Sequence, residues 1–389
     1  MSQALHAFLC HRGDPLSLAR QEEGLRARLL EASLLLCSRE KRQFEQAGWV
    51  YAQLKDYSDP HIAAIGVAVD GDYARACRVY DEILARNPRD LLALAVAQVF
   101  DYYLGDPQSM RARSARVLQA WPEHHAVLSM HAFALEECGD YGRAEELARR
   151  ALELEPQDLR AHHAVAHVME MQGRFEEGVR WMGERSRWWS GAGPASTHLW
   201  WHLALYHFEL GRPRHALAIY DRRMRGEALS ELIDASALLW RLHLQKVSLG
   251  NRFKTLAARW SPYAEDAHCA FNDLHAMMAF VAAGRRDCAQ RLLAAQERRV
   301  RRVWGCNHDM TRLVGLPACR ALAAFGEGDY ATAERLLRAL PPVAHRIGGS
   351  HAQRDVLQLT RFAALSRKSS PASAARIRAP APLSLVYAA

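Results

Sequence analysis

Histidines at helical spacing are the residues of this sequence whose types could do chemistry. In His162-His163-Ala164-Val165-Ala166-His167-Val168-Met169-Glu170, the side chains of His163, His167 and Glu170 recur at i, i+4 and i+7, which sets them on one face of a helix. Imidazoles one turn apart can share a divalent metal, with the carboxylate completing the shell, or can hold and move protons. The stretch His198-Leu199-Trp200-Trp201-His202 repeats the i, i+4 arrangement. A plainer reading is a polar groove around ordered water. No glutamate directly follows the first histidine as it does in the zinc-protease motif, and His-xxx-His is common on helices. The expectation is therefore a His/Trp-lined binding groove with no resident cofactor, and a divalent metal at His163, His167 and Glu170 is the less favoured alternative.

Two further segments place polar groups inside apolar helices. One is Asn272-Asp273-Leu274-His275. The other is Ser350-His351-Ala352-Gln353-Arg354-Asp355, in which Ser350 suits an N-cap and His351 and Asp355 stand one turn apart. An oriented imidazole–carboxylate pair with Arg354 beside it as an anion clamp is one reading. A buried polar network that locks the last helix in place is the stronger one. His131 falls where the repeat described below has a core leucine, so a satisfied core histidine is expected there. His308-Asp309 and Trp304 fall in an interhelical segment.

The elements that must position these residues follow from a repeat. Gly71, Gly105, Gly139 and Gly173 are each 34 residues apart, and Pro88, Pro122 and Pro156 keep the same interval independently. Thirty-four residues is the period of the tetratricopeptide repeat, a pair of antiparallel helices that buries its apolar face by stacking on its neighbours into an α-solenoid. The other landmarks fall in register: Tyr73, Ala76 and Tyr80 follow Gly71, while Tyr141, Ala144 and Ala151 follow Gly139. Small alanines let the paired helices approach, aromatics fill the gap to the next pair, and proline stops the second helix. Counted on this frame, His163, His167 and His198 occupy slots that face the concave groove, whereas His202 and His207 point toward neighbouring helices.

Beyond Trp181 the interval loosens to 38 (Gly173 to Gly211) and 39 (Gly211 to Gly250) before 34 returns at Gly284, and Gly328-Asp329-Tyr330 with Ala333 and Pro341 recovers the motif. The sequence reads as an all-α chain in four parts: an N-terminal helical cap over 1–57, regular repeats over 58–190, divergent helical repeats with a C-terminal capping helix over 191–368, and a loose tail over 369–389 whose Leu-Val-Tyr could dock in an apolar groove. The stretch Trp188-Trp189-Ser190-Gly191-Ala192-Gly193-Pro194 reads as a loop, one that must fold back because exposed tryptophans are costly.

Half of the 389 residues are apolar and 24% are charged, enough to build a core and too hydrophobic for disorder. The net charge of +8 comes almost wholly from arginine. Its densest run, Glu297-Arg298-Arg299-Val300-Arg301-Arg302, lacks interleaved aromatics and reads as a solvated helix end, so nucleic acid is not expected as a partner. Eight cysteines without a CxxC pair suit reduced thiols, and no apolar run reaches membrane-spanning length. A cytoplasmic location with no membrane partner is expected. Phosphate-binding loops, nucleophile elbows and Cys-His nucleophile spacings are missing, which removes any named reaction.

The segments His162–Arg174, Trp201–His207, Asn272–Ala276 and Gly349–Asp355 together resemble the tetratricopeptide repeat protein 38 family, over about residues 60 to 366. The resemblance implies an α-helical repeat fold and brings no activity or catalytic role with it. Together these readings predict a repeat protein whose groove, lined by His163, His167, Glu170, His198, Trp201 and His202 and approached by Asp273, His275, His351, Arg354 and Asp355, binds a small polar molecule or an extended peptide. The alternative is an enzyme that uses the histidines for acid/base or metal-assisted chemistry.

Overall fold

The computed structural model describes residues 2–368, and every regular element in them is a helix. The expected tail over 369–389 lies outside the described residues. The fold class is all-α, built of antiparallel helix pairs stacked in the tetratricopeptide manner. No helix among the described residues is long and apolar enough to cross a membrane, and none of the eight cysteines is in a disulfide.

The 34-residue interval has a concrete backbone cause. The chain leaves the first helix of each regular pair through a glycine at positive φ, 78° at Gly71, 67° at Gly105, 83° at Gly139 and 69° at Gly173. That left-handed conformation crowds a Cβ against the backbone, so glycine is favoured there. The following N–H then reaches a carbonyl five residues back, as in Asp106 to Asp101 at 2.9 Å and Asp140 to Leu135 at 2.9 Å. Asp72 and Asp106 go on to cap the second helix, accepting from the Arg75 N–H at 2.9 Å and the Ser109 N–H at 3.0 Å. One dipeptide thus ends one helix and starts the next.

After Gly211 the phase departs from the expected one. Helix Leu229–Leu244 ends with Lys246 at φ 61° and with the Val247 N–H on the Leu242 carbonyl at 3.1 Å. Lys246 therefore takes the left-handed position that ends this helix, while Gly250, at φ 54°, lies in the turn before the next one; the intervals from Gly211 to Lys246 and on to Gly284 are 35 and 38 residues.

The described residues divide into two compact units. The first comprises 2–168, Gly183–Leu199 and Trp304–Cys306; the second comprises Met169–Met182, Trp200–Val303 and 307–368. The division falls within the helices Leu159–Met171, Phe175–Trp189, Pro194–Glu209 and Cys306–Met310.

In the first unit, Ala76, Ala144, Ala151 and Tyr80 are fully buried, and Tyr73 stacks on Phe100 with ring centroids 4.7 Å apart, filling the gap to the next pair. Four N-terminal helices, Gln3–Cys10, Pro15–Gln21, Leu25–Leu36 and Lys41–Leu54, add Phe8, Ala19, Leu35 and Leu54 to the same core. Trp188 and Trp189 are not in a loop; they form the last turn of helix Phe175–Trp189. Trp189 is buried, and the turn that follows folds back, its Ala192 carbonyl accepting the Gly13 N–H at 2.9 Å. His131 is a core histidine, its Nδ1 2.9 Å from the hydroxyl of Ser114.

In the second unit, buried polar contacts tie helices far apart in sequence. The Trp240 indole N–H donates to Thr360 Oγ1 at 2.8 Å, joining Leu229–Leu244 to the last helix, Val356–Lys368, and the Trp260 N–H donates to Ser236 Oγ at 2.8 Å. Gly178 lies against the Tyr206 ring so closely that a Cβ there would stand 2.5 Å from a ring carbon. Only glycine lets those two helices pack at that distance.

Candidate functional site: an imidazole cluster in the first unit

Three helices that open successive repeats supply the cluster. Helix His125–Glu137 carries Phe133 and Glu136, helix Leu159–Met171 carries His163 and His167, and helix Pro194–Glu209 carries His198. His163 and His198 are half-buried and meet Nε2 to Nε2 at 3.1 Å. At that distance one ring donates its N–H and the other accepts, so the two tautomers are coupled and a proton on both nitrogens is disfavoured.

His167 lies one turn on, its ring centroid 4.4 Å from that of His163. It is fully buried, and its Nδ1 lies 3.4 Å from Oε2 of the equally buried Glu136. At that separation the contact is electrostatic proximity of carboxylate and imidazole rather than a hydrogen bond. Phe133 packs against both rings, with centroids 5.1 Å from His163 and 5.3 Å from His167. Ligand atoms of His163, His167 and His198 lie within 4.8 Å of one another, and a carboxylate oxygen each from Glu136 and Glu137 lies equally close to His167. The set therefore suits a divalent metal as well as proton sharing. His162 has a different environment: buried, it is within 2.9 Å of the Pro156 carbonyl, and burial pushes its pKa down to about 4.

The third member of the predicted trio has a partner of its own in the second unit. Glu170 Oε2 lies 2.7 Å from Nδ1 of His202, both buried. Trp201, fully buried, turns its indole face to the guanidinium of Arg241, 5.5 Å from the ring centroid.

The remaining predicted residues of the second unit sit in its interior or are tied to its backbone. Asp273 accepts from Gln296 Nε2 at 3.0 Å, and burial pushes its carboxyl up to about 7. His275 is buried with Nδ1 2.8 Å from the Phe271 carbonyl, and Arg354 donates to the Gly349 carbonyl. His351 is half-buried at the start of the short helix His351–Arg354, for which Ser350 stands in the N-cap position. The Asp355 carboxylate receives the guanidinium of Arg241, which also donates to the carbonyls of Ala352 at 2.6 Å and Ala237 at 2.9 Å. Arg241 thus ties helix Leu229–Leu244 to the segment that leads into the last helix.

Burial raises Asp355 to about 6 despite Arg241, and it raises Glu209 to about 7 with the charge of Asp355 adding to the effect. Sequence reasoning missed Glu136, Glu209 and Arg241. Glu136 had a usable signal, since it precedes Glu170 by one 34-residue period; Arg241 lies 114 residues from its partner and had none.

No family model matches the chain. Among solved structures it is similar to the one described as the crystal structure of the APC/C hetero-tetramer Cut9-Hcn1, at 12% identity over 88% of this chain and 64% of that one, with a TM-score of 0.39. It is also similar to the structure of Naa15/Naa10 bound to HypK-THB, at 13% identity over 96% of this chain and 72% of that one, with a TM-score of 0.34. The chain thus spans less than two thirds of the length of the first of these. Both likenesses are distant, and the fold assignment stands on the helix pairs themselves.

Proposed function

We propose that this tetratricopeptide-repeat protein binds a small polar molecule at the imidazole cluster of its first unit. The observation that supports the reading most is the His163–His198 contact at 3.1 Å between half-buried rings, with His167 and Glu136 buried behind them. Half-burial leaves the rings within reach of a ligand, and the coupled pair can present either a donor or an acceptor to it. Phe133 supplies an apolar wall beside the polar groups, the composition expected of a small-molecule site. A compact ligand is favoured over an extended peptide because repeats that grip acidic peptide ends do so with lysine and arginine, whereas imidazole dominates here. The resemblance to the tetratricopeptide repeat protein 38 family, carried by the same histidine helix, belongs to this reading.

Native mass spectrometry of untagged protein, paired with thermal shifts in a panel of small carboxylates, phosphates and amines, tests it. A bound mass or a stabilising panel member, lost in the His163→Ala/His198→Ala protein, is the expected outcome. A chain of bare sequence mass that no panel member stabilises would sink it. The alternative, an enzyme using metal-assisted or acid/base chemistry, draws on the three imidazole ligand atoms within 4.8 Å and on the carboxylate behind His167. Elemental analysis showing no zinc, iron, manganese, nickel or copper held by His163, His167 and His198 would remove its metal form.

A further inference from the structure

A second group of ligand-type side chains lies elsewhere in the first unit, on residues that the histidine cluster does not use. His6 and Cys10 stand one turn apart on helix Gln3–Cys10, and His125 is the first residue of helix His125–Glu137. One ligand atom from each lies within 4.8 Å of the others. Cys10 Sγ is 3.7 Å from His6 Nε2. A tetrahedral zinc with Zn–S of about 2.3 Å and Zn–N of about 2.0–2.1 Å holds its sulfur and nitrogen ligands about 3.5 Å apart, so the spacing needs little adjustment to accept the ion.

The surroundings have the character of a built site. Nδ1 of His125 lies 2.9 Å from Oδ2 of Asp158, which is fully buried, and this carboxylate–imidazole contact orients the ring and leaves Nε2 as the lone-pair nitrogen. Asp158 is itself fixed, because Oδ1 accepts the Ala161 N–H at 3.2 Å at the start of the next helix. The short helix that carries His6 and Cys10 is held at its C-terminal end by Arg160, whose guanidinium donates to the carbonyls of Leu9 at 3.0 Å and Phe8 at 3.3 Å. Its first turn is held by Glu22, which accepts the Ala4 N–H at 3.1 Å. Both halves of the ligand set are therefore placed before any ion arrives, which lowers the ordering cost of binding.

We propose that His6, Cys10 and His125 bind a zinc ion, with Asp158 as the outer-shell carboxylate and one coordination position left to water. One thiolate and two imidazoles form a borderline-soft donor set that suits zinc over magnesium or calcium, and three protein ligands leave the fourth position open. Binding releases the thiol proton to solvent as the sulfur–zinc bond forms.

Cobalt(II), added to untagged protein as a spectroscopic substitute for zinc, tests this. The expected result is a near-ultraviolet thiolate-to-cobalt charge-transfer band that saturates at one ion per chain and is displaced by zinc. The band disappears in Cys10→Ser, and in Asp158→Asn it needs about 10–100-fold more metal. It survives in the His163→Ala/His198→Ala protein, which separates this site from the imidazole cluster. X-ray absorption of that double variant loaded with one equivalent of zinc needs no change at the proposed site itself and should show one sulfur in the first shell. Lack of a thiolate band in the wild-type protein, its persistence in folded Cys10→Ser, or an all-nitrogen and oxygen shell overturns the proposal.

Discussion

The imidazole cluster of the first unit and the charged interior of the second solve opposite problems with similar groups. In the first, His163 and His198 remain half-buried and touch each other, and only His167 is backed by a buried carboxylate. In the second, Arg241 and Asp355 are 1% and 2% exposed, and the Arg241 guanidinium is shared among Asp355 and the carbonyls of Ala352 and Ala237. The same contrast appears at one repeat position. Glu136 and Glu170 each precede their repeat glycine by three residues, yet Glu170 closes on His202 at 2.7 Å while Glu136 stands 3.4 Å from a histidine that has two more imidazoles beside it. One repeat slot thus closes on a single imidazole in one repeat and stands beside a cluster of imidazoles in the other.

The sharpest way to break this comparison is to remove the cation of the lock. Arg241→Ala leaves Asp355 buried without its guanidinium and should cost about 3–5 kcal/mol in urea denaturation. Replacing both partners by apolar residues, Arg241→Met with Asp355→Leu, should recover much of that loss, because no uncompensated charge remains. A small effect for Arg241→Ala would mean that the pair is solvated and the contrast is false.

The next effect is a pH dependence. Asp273 is carried from 3.8 to about 7 by burial, so between those values the native state holds a proton that the unfolded chain has released. Its contribution is full below about pH 4 and is lost as the pH rises through 7, amounting to about 2–3 kcal/mol between pH 5 and pH 8. Asp355 and Glu209, raised to about 6 and about 7, act in the same direction. Asp273→Asn should flatten that part of the stability profile. A variant whose unfolding midpoint follows the wild type across this range would show that the carboxyl titrates normally.

How much of this could be read in the sequence depends on whether the cause is local. The glycine interval was legible because a left-handed residue followed by a capping aspartate is written into adjacent positions. The misplacement at Gly250 has the converse reason: Lys246 adopts φ 61°, and nothing in a lysine announces that conformation. For the site, periodicity brought His163 and His167 together and set His198 on the groove face of the following repeat. It assigned Glu170 to their cluster because spacing along a helix does not say which neighbouring helix supplies the partner. The His6–Cys10–His125 group was invisible, since the N-terminal helix has no place in the repeat and its docking rests on Arg160, 150 residues from Cys10.

The two carboxylate–imidazole pairs allow a direct comparison at lower cost. His202→Ala removes the imidazole 2.7 Å from the buried Glu170, and His167→Ala the one 3.4 Å from the buried Glu136; each should lose about 1–3 kcal/mol. The shorter contact at His202 predicts the larger loss, read as the drop in urea midpoint. Equal losses, or a larger one at His167, would show that Glu136 depends on its histidine as strictly as Glu170 does, and that His167 belongs to a lock rather than to the ligand cluster.

The smallest stability effect should belong to the two residues at which binding is proposed. His163 and His198 are half-buried and in contact with each other, so His163→Ala/His198→Ala removes both partners together and leaves neither imidazole stranded. The loss should stay within about 1 kcal/mol, well below that of His167→Ala, although all three rings belong to one cluster. Retained stability with abolished ligand-dependent stabilisation would separate the site from the scaffold. A double variant that unfolds as readily as Arg241→Ala would mean that the His163–His198 contact is itself structural, and the distinction between an open cluster and a sealed one would no longer hold.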